Sequence, residues 1–149
     1  MRKCALPQEL TPIPYLYMLM TQAESAILVA EDNEDIRELV AHQLRRMGIH
    51  VLQADNGREA MELALAEQPA LVLMDMDMPV MSGFDAVAQL RQRGYTKRIL
   101  ALTGHSDGPE AERALASGCD GLLGKPICSD VLRAQVQKVL AETAAGEHA

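Results

Sequence analysis

The stretch "LVLMDMDMPVMSG", from Leu71 to Gly83, decides how the rest of the chain is interpreted. Its apolar first half predicts a buried strand, and the strand ends in two aspartates, Asp75 and Asp77. A proline and a glycine follow and indicate a loop. The sequence therefore raises two questions: what two acids do at the end of a buried strand, and which of them carries the chemistry.

The composition is that of a single ordinary globular domain. The chain has 149 residues, of which 48% are hydrophobic and 23% are charged, so it can form a core without disulfides or a structural metal. Its net charge of −7 argues against nonspecific binding to nucleic acid, which needs a basic surface. Cys4, Cys119 and Cys128 have no metal-type spacing and are interpreted as reduced thiols, which predicts a cytoplasmic protein.

The first residues carry no clear pattern. No apolar run reaches the roughly 18 residues that a membrane helix needs. Prolines interrupt the nearest candidate, at residues 11–20, and make a secretory signal unattractive. We expect residues 1–24 to be a loosely ordered extension, or translation to begin at Met18 or Met20.

From residue 26 onward, apolar runs alternate with amphipathic helical segments. The predicted strands are AILVA at 26–30, IHVLQA at 49–54, LVLMD at 71–75, RILALT at 98–103 and GLLG at 121–124. The predicted helices span residues 35–47, 58–67, 84–91, 110–117 and 129–143, with Leu39 and Val131 among the inward-facing residues. This alternation predicts an α/β fold whose parallel sheet has helices on both faces. We expect one domain over residues 25–143 and a frayed tail over 144–149.

Polar residues follow several of the predicted strands. Parallel strands bring these ends to one edge of the sheet, where such sheets bind their ligands. The residues at the strand ends are Glu31, Asp32, Asp75, Thr103 and Lys125. Clustered carboxylates repel one another unless a cation lies among them, and oxygen ligands with room for water suit Mg²⁺. A carboxylate can also act as a nucleophile and form an aspartyl phosphate, with a lysine and a threonine contacting the phosphoryl group.

These motifs, in this order, resemble the receiver domain of two-component response regulators. The resemblance covers roughly Ala26 to Leu140 and is carried by "LVAEDNED", "LVLMDMDMPVMSG", "ALTGH" and "GKPI". It implies a flavodoxin-like, doubly wound (βα)5 fold. The implied sheet has five parallel strands in the order 2-1-3-4-5, an order taken over from members of that family.

The resemblance also answers which aspartate reacts. Asp75 matches the phosphoacceptor, and Glu31 and Asp32 match the acidic pair that holds Mg²⁺. Asp77 lies where the family uses a backbone carbonyl as a further metal ligand, so the implied metal site is Glu31, Asp32, Asp75 and Asp77. We expect the Asp77 side chain to lie at the rim of the site and to alter the rate of phosphorylation or dephosphorylation.

Two other residues match the family's reactive set. Thr103 matches the switch hydroxyl, and Lys125 matches the phosphate-binding lysine, whose bond to Pro126 is typically cis in the family although sequence alone favours trans. Leu122 departs from the pattern because it occupies a position where the family often has an aromatic ring. His105 is interpreted as a solvated loop residue, or as one that tunes access to the phosphoryl group.

The implied function is that of a phosphoacceptor signalling module in a phosphorelay. A histidine kinase or a histidine phosphotransfer protein would pass a phosphoryl group to Asp75, and the surface of the fourth helix, fifth strand and fifth helix would then change. The protein would catalyse only its own phosphorylation and dephosphorylation, without nucleic acid or membrane as partner. An unknown downstream protein, or a second copy of the chain, would bind the changed surface. The sequence leaves open whether the protein acts by direct binding, relays phosphate onward or is a fragment of a hybrid kinase.

Two other functions fit parts of the same pattern. A pseudo-receiver would bind partners without being phosphorylated, although the set of acids, threonine and lysine is complete. "DMD" after a strand also resembles the nucleophile motif of haloacid-dehalogenase-type phosphatases. That family places its acidic pair after the lysine, whereas Glu31 and Asp32 precede Asp75 here.

Overall fold

The structure, a computed structural model, describes residues 26–105 and 107–146, with only the backbone given for residues 143–146. Its strands are β1 (Ile27–Ala30), β2 (Val51–Ala54), β3 (Leu71–Asp75), β4 (Arg98–Thr103) and β5 (Gly121–Gly124). Its helices are α1 (Glu34–Arg46), α2 (Gly57–Glu67), α3 (Gly83–Gln92), α4 (Pro109–Ser117) and α5 (Ser129–Gly146). The predicted extension over residues 1–24 lies outside the described residues.

The strands form one parallel sheet in the order β2-β1-β3-β4-β5, which confirms the predicted fold class and strand order. Side chains alternate across the sheet, so each strand contributes to two hydrophobic layers. Leu28 and Val72 pack into the layer that also contains residues of α2, α3 and α4. Ile27 and Val29 pack into the opposite layer, with residues of α1 and α5.

Four helices begin one residue earlier than predicted, and α5 ends at Gly146 rather than at Thr143. The early starts of three helices have a local cause. Side-chain oxygens of Asn33, Asn56 and Ser82 accept hydrogen bonds from backbone N–H groups in the first turns of α1, α2 and α3. These caps satisfy donors that a helix cannot satisfy internally, so the helix starts directly after the cap.

Two residues expected on inward helix faces are exposed instead. Leu39 in α1 is 56% exposed and Val131 in α5 is 47% exposed. The prediction was wrong at these positions because the sheet covers a narrower stripe of each helix than the apolar pattern suggests. Among the described residues, no helix combines the length and the apolar character that crossing a bilayer would require.

Candidate functional site

Neighbouring strands bring three acids together at the carboxyl edge of the sheet. Glu31 directly follows β1 and Asp75 ends β3, and these two strands pair with Ala30 opposite Met74. Both acids are buried, with 1% of Glu31 and 5% of Asp75 exposed, whereas Asp32 is exposed. Carboxylate oxygens of Glu31, Asp32 and Asp75 lie within 4.8 Å of one another. The structure thus brings together the acids that the sequence placed at these strand ends.

Lys125, which follows the edge strand β5, contacts the two buried acids. Its backbone N–H donates to the Thr103 carbonyl oxygen at 2.8 Å. Its Nζ lies 2.8 Å from Glu31 Oε1 and 3.1 Å from Asp75 Oδ1. The bond from Lys125 to Pro126 is cis, as the resemblance implied. One ammonium group therefore contacts two carboxylates while a third, that of Asp32, lies beside them, which leaves an excess of negative charge.

Burial and the charge excess both act on the pKa of the central acid. Burial, and to a lesser extent the nearby Glu31 carboxylate, raise the pKa of Asp75, Lys125 opposes both effects, and the net pKa is about 7. Burial acts to lower the pKa of Lys125, but its contacts with Glu31 and Asp75 outweigh burial and hold that pKa above its usual value. Added positive charge would reduce the repulsion among these carboxylates. A set of oxygen ligands that is open to solvent on one side suits Mg²⁺.

Asp77 occupies a different environment from Asp75. Its side chain is exposed, and its backbone N–H donates to Asp75 Oδ1 at 3.4 Å. The intervening Met76 and the following Met78 are buried and pack into the core, where the flexible methionine side chain fills irregular gaps. Asp75 is therefore buried as the last residue of β3, whereas Asp77 lies in the following loop with its side chain in solvent.

Close packing accounts for the glycine at the end of the quoted stretch. The N–H of Gly83 donates to the Met76 carbonyl oxygen at 3.0 Å, and a Cβ at Gly83 would overlap the Asp75 carbonyl oxygen. Gly57, at the start of α2, donates to the Met81 carbonyl oxygen at 3.0 Å, which a Cβ at Gly57 would also overlap. The loop from β3 to α3 is thus held between two helix starts, and this fixes the strand end that carries Asp75.

Thr103 ends β4 and is 3% exposed. Within the described residues, the hydrogen-bond partners of its hydroxyl are His105 and Glu110. Oγ1 lies 2.9 Å from the His105 carbonyl oxygen and 3.1 Å from Glu110 Oε1, and it accepts a hydrogen bond from the His105 N–H at 3.1 Å. The structure therefore engages Thr103 with the loop after β4 and with α4.

Sequence analysis did not single out Glu110. An acid in the first turn of a helix is common, because it interacts favourably with the helix dipole, so its presence alone carried little information. His105 is exposed and contacts Thr103 through its backbone. Leu122 is half-buried and packs against the core layer under α2, α3 and α4.

Comparison with known proteins gives a consistent result. The family model for the response regulator receiver domain matches residues 27–137. The chain is 38% identical over 107 residues to the autoinducer 1 sensor kinase/phosphatase LuxN of Vibrio campbellii. That match covers 72% of this chain and only 12% of the length of LuxN.

Solved structures of receiver proteins are also similar. The chemotaxis response regulator CheY4 of Vibrio cholerae is 32% identical, with a TM-score of 0.72, and the match covers 77% of this chain and 98% of CheY4. The receiver domain of the sensor histidine kinase PA1611 from Pseudomonas aeruginosa is 28% identical, with a TM-score of 0.73. That match covers 78% of this chain and 97% of the PA1611 domain, whose structure has a magnesium ion coordinated in its active-site cleft.

Proposed function

The chain belongs to the response regulator receiver domain family, a component of two-component signalling, and from this premise we propose that Asp75 accepts a phosphoryl group in a phosphorelay. The observation that carries the proposal is the environment of that one carboxylate. Asp75 is buried at the end of β3, contacts Lys125 at 3.1 Å and shares the sheet edge with two further acids.

The proposed reaction is a direct transfer between two side chains. An oxygen of the ionised Asp75 carboxylate attacks the phosphorus of a phosphohistidine, a P–O bond forms and the P–N bond breaks. The partner's imidazole leaves with the electron pair and takes up a proton. Attack by water on the aspartyl phosphate later returns the carboxylate and inorganic phosphate, so the protein acts only on its own phosphorylation state.

Each residue at the edge receives a role in this proposal. Lys125 pairs with a phosphoryl oxygen, and Thr103 donates its hydroxyl hydrogen to another. Glu31, Asp32 and Asp75, with the Asp77 carbonyl, would hold Mg²⁺, as the PA1611 domain holds magnesium in its cleft. When bound, Mg²⁺ would supply positive charge that favours ionised Asp75 and offsets charge on the phosphoryl group.

The family supports a proposal for the phosphoryl donor, and the greater length of some relatives bears on the protein in which the receiver acts. We propose that a histidine kinase or a histidine phosphotransfer protein in the cytoplasm supplies the phosphoryl group. Phosphorylation would shift a pre-existing equilibrium at the surface formed by α4, β5 and α5, which would bind a downstream protein or a second copy of the chain. The chemistry is the same for direct binding, for onward relay and for a receiver within a hybrid kinase. This chain covers only 12% of the length of the sensor kinase/phosphatase LuxN.

Intact-mass spectrometry tests the proposal with acetyl phosphate as a small phosphoryl donor. We expect the wild-type protein to gain one phosphoryl group when Mg²⁺ is present and none when a chelator removes it. Asp75→Asn should gain none, whereas the control Asp77→Asn should still be phosphorylated. Failure of the wild-type protein to form an adduct or to bind beryllofluoride would contradict the proposal and favour a pseudo-receiver.

A further inference from the structure

The Thr103 hydroxyl has more acceptors within reach than it has hydrogens. Its one hydrogen can be donated either to the His105 carbonyl oxygen at 2.9 Å or to Glu110 Oε1 at 3.1 Å. Its lone pairs also receive the His105 N–H at 3.1 Å. A phosphoryl oxygen on Asp75 would need the same single hydrogen, so it would have to displace both acceptors.

Glu110 is the only one of these acceptors that belongs to a helix. It lies in the first turn of α4, after Pro109 at the helix start and Gly108, which has φ of 89°. That helix start has no side-chain cap, and its first backbone hydrogen bond runs from the Glu112 N–H to the Gly108 carbonyl oxygen at 3.0 Å. The Thr103–Glu110 hydrogen bond therefore links the end of β4 directly to the first turn of α4.

We propose that Glu110 is a positioning residue that holds the Thr103 hydroxyl away from Asp75 in the unphosphorylated protein. Formation of the aspartyl phosphate breaks the Thr103–Glu110 bond and frees the first turn of α4. This inference rests on the proposed function, because it requires a phosphoryl group on Asp75. In this proposal the Thr103–Glu110 bond opposes phosphorylation of Asp75. Breaking the same bond transmits the effect of phosphorylation to α4.

The physical argument is a competition between two acceptors for one donor. A hydrogen bond to a carboxylate is stronger than one between neutral groups, so breaking it opposes the binding of a phosphoryl group at Asp75. The free energy of this bond also couples Asp75 to α4. Because such coupling is reciprocal, phosphorylation favours release of Glu110, and release of Glu110 favours phosphorylation. The Leu122 side chain in β5 has no hydroxyl, so it cannot form a hydrogen bond that would respond to a movement of Thr103.

Beryllofluoride with Mg²⁺, a stable mimic of the phosphoryl group, provides the test. The dissociation constant is measured for the wild type, Glu110→Ala and Glu112→Ala, after circular dichroism has shown that each variant is folded. Glu112 is the matched control because it is an exposed acid in the same first turn, so both substitutions remove one negative charge. We expect Glu110→Ala to bind about tenfold more tightly. Glu112→Ala should change affinity by less than about twofold, the scale of an exposed charge.

Two further variants separate a specific bond from a general structural effect. Glu110→Gln keeps an oxygen that accepts a hydrogen bond, so its affinity should fall between those of the wild type and Glu110→Ala. In a Thr103→Ala background, Glu110→Ala should have no additional effect, because the bond that it removes is already absent. Equal effects of Glu110→Ala with and without Thr103 would overturn the inference.

Hydrogen exchange at α4 tests the second half of the inference. Beryllofluoride should speed exchange of the Glu112 N–H in the wild type, and free Glu110→Ala should show the faster exchange without beryllofluoride. Unchanged exchange in both would overturn the link to α4. If the wild type does not bind beryllofluoride at all, the proposed function fails and the inference fails with it. If the wild type binds but Glu110→Ala behaves like Glu112→Ala, the inference alone fails.

Discussion

The two edges of the sheet differ in their balance of charge. At the amino edge, where the strands begin, one arginine donates hydrogen bonds to several oxygen atoms, whereas at the carboxyl edge one lysine lies among more acids than it can neutralise. Arg91 in α3 donates to the carbonyl oxygens of Gly118, Tyr95 and Lys97 at 2.8 to 3.0 Å. Its Nη2 also pairs with Asp120 Oδ2 at 2.9 Å. The residues concerned lie just before β4 and β5, so this group joins the starts of both strands to α3.

The carboxyl edge has the opposite balance. Lys125 contacts Glu31 and Asp75, and the carboxylate of Asp32 lies in the same cluster. Burial and repulsion from Glu31, opposed in part by Lys125, raise the pKa of Asp75 to about 7. The comparison teaches that the amino edge contributes stability, whereas the carboxyl edge reduces stability in a way that a phosphoryl group and a cation would relieve.

The amino edge gives the largest expected effect on stability. Arg91→Ala removes four contacts at once and takes the donor from three partly buried carbonyl oxygens, so we expect the free energy of unfolding to fall by about 3 kcal/mol. Urea denaturation measures this loss. Arg58→Ala, an exposed arginine in α2, should change stability by less than about 0.5 kcal/mol. A similar loss in both variants, or a loss of phosphorylation in folded Arg91→Ala, would break the comparison.

The carboxyl edge should respond with the opposite sign. The pKa of Asp75 is about 7 in the folded protein and 3.8 without the fold, so the folded state binds more protons between these pH values. The contribution of Asp75 to stability should therefore fall as the pH rises from about 4 to about 7 and stay constant above that range. Without Mg²⁺, Asp75→Asn should raise the free energy of unfolding by about 2 kcal/mol at pH 8 and by little at pH 4.

Asp77→Asn is the control for this pH dependence. It makes the same chemical change at an exposed carboxylate two positions away, and its stability should follow the wild-type pH curve. A pH curve of Asp75→Asn that runs parallel to the wild-type curve would show that Asp75 is not the titrating group.

Among the described residues, each edge also contains one residue other than glycine with positive φ. Val80, near Asp75, has φ of 69° and is 75% exposed, whereas Gln68, near the amino edge, has φ of 51°. The Gln68 side chain donates to the Ala64 and Leu65 carbonyl oxygens, which offsets its strain. A β-branched side chain is disfavoured at positive φ, so Val80→Gly should raise the free energy of unfolding by about 1 kcal/mol.

Gln68→Gly provides the comparison for that substitution. It also relieves the positive φ, but it removes the two side-chain hydrogen bonds, so we expect a smaller gain or a loss in urea denaturation. A larger gain for Gln68→Gly than for Val80→Gly would refute the assignment of strain to Val80.

The smallest expected effect concerns the rim of the site. Asp77→Asn removes an exposed negative charge beside Asp75, so acetyl phosphate, an anion, should phosphorylate the variant about two- to threefold faster at low ionic strength. The difference should disappear near 1 M salt, which screens exposed charges. Glu67→Gln makes the same charge change at the end of α2, by the amino edge, and should leave the rate unchanged. Equal rates for Asp77→Asn and the wild type at low salt would contradict this role.

Most residues of the carboxyl edge could be predicted from the sequence, because each of them directly follows or ends an apolar strand. Acids, a threonine and a lysine directly after apolar strands can be placed at one edge from the strand pattern alone, and the strand order came from the family resemblance. The contacts of Arg91 could not be predicted, because three of its acceptors are backbone carbonyls, whose positions do not depend on residue type. The Thr103–Glu110 bond could not be predicted either, because it depends on the course of the loop between β4 and α4.

The central claim is that Asp75, rather than a neighbouring acid, accepts the phosphoryl group. The most direct test is to phosphorylate the wild-type protein with acetyl phosphate and Mg²⁺, reduce the acyl phosphate with borohydride and locate the altered residue by tandem mass spectrometry. We expect the alteration at Asp75 alone. An alteration at Asp77 or Asp32, with Asp75 unmodified, would contradict the account.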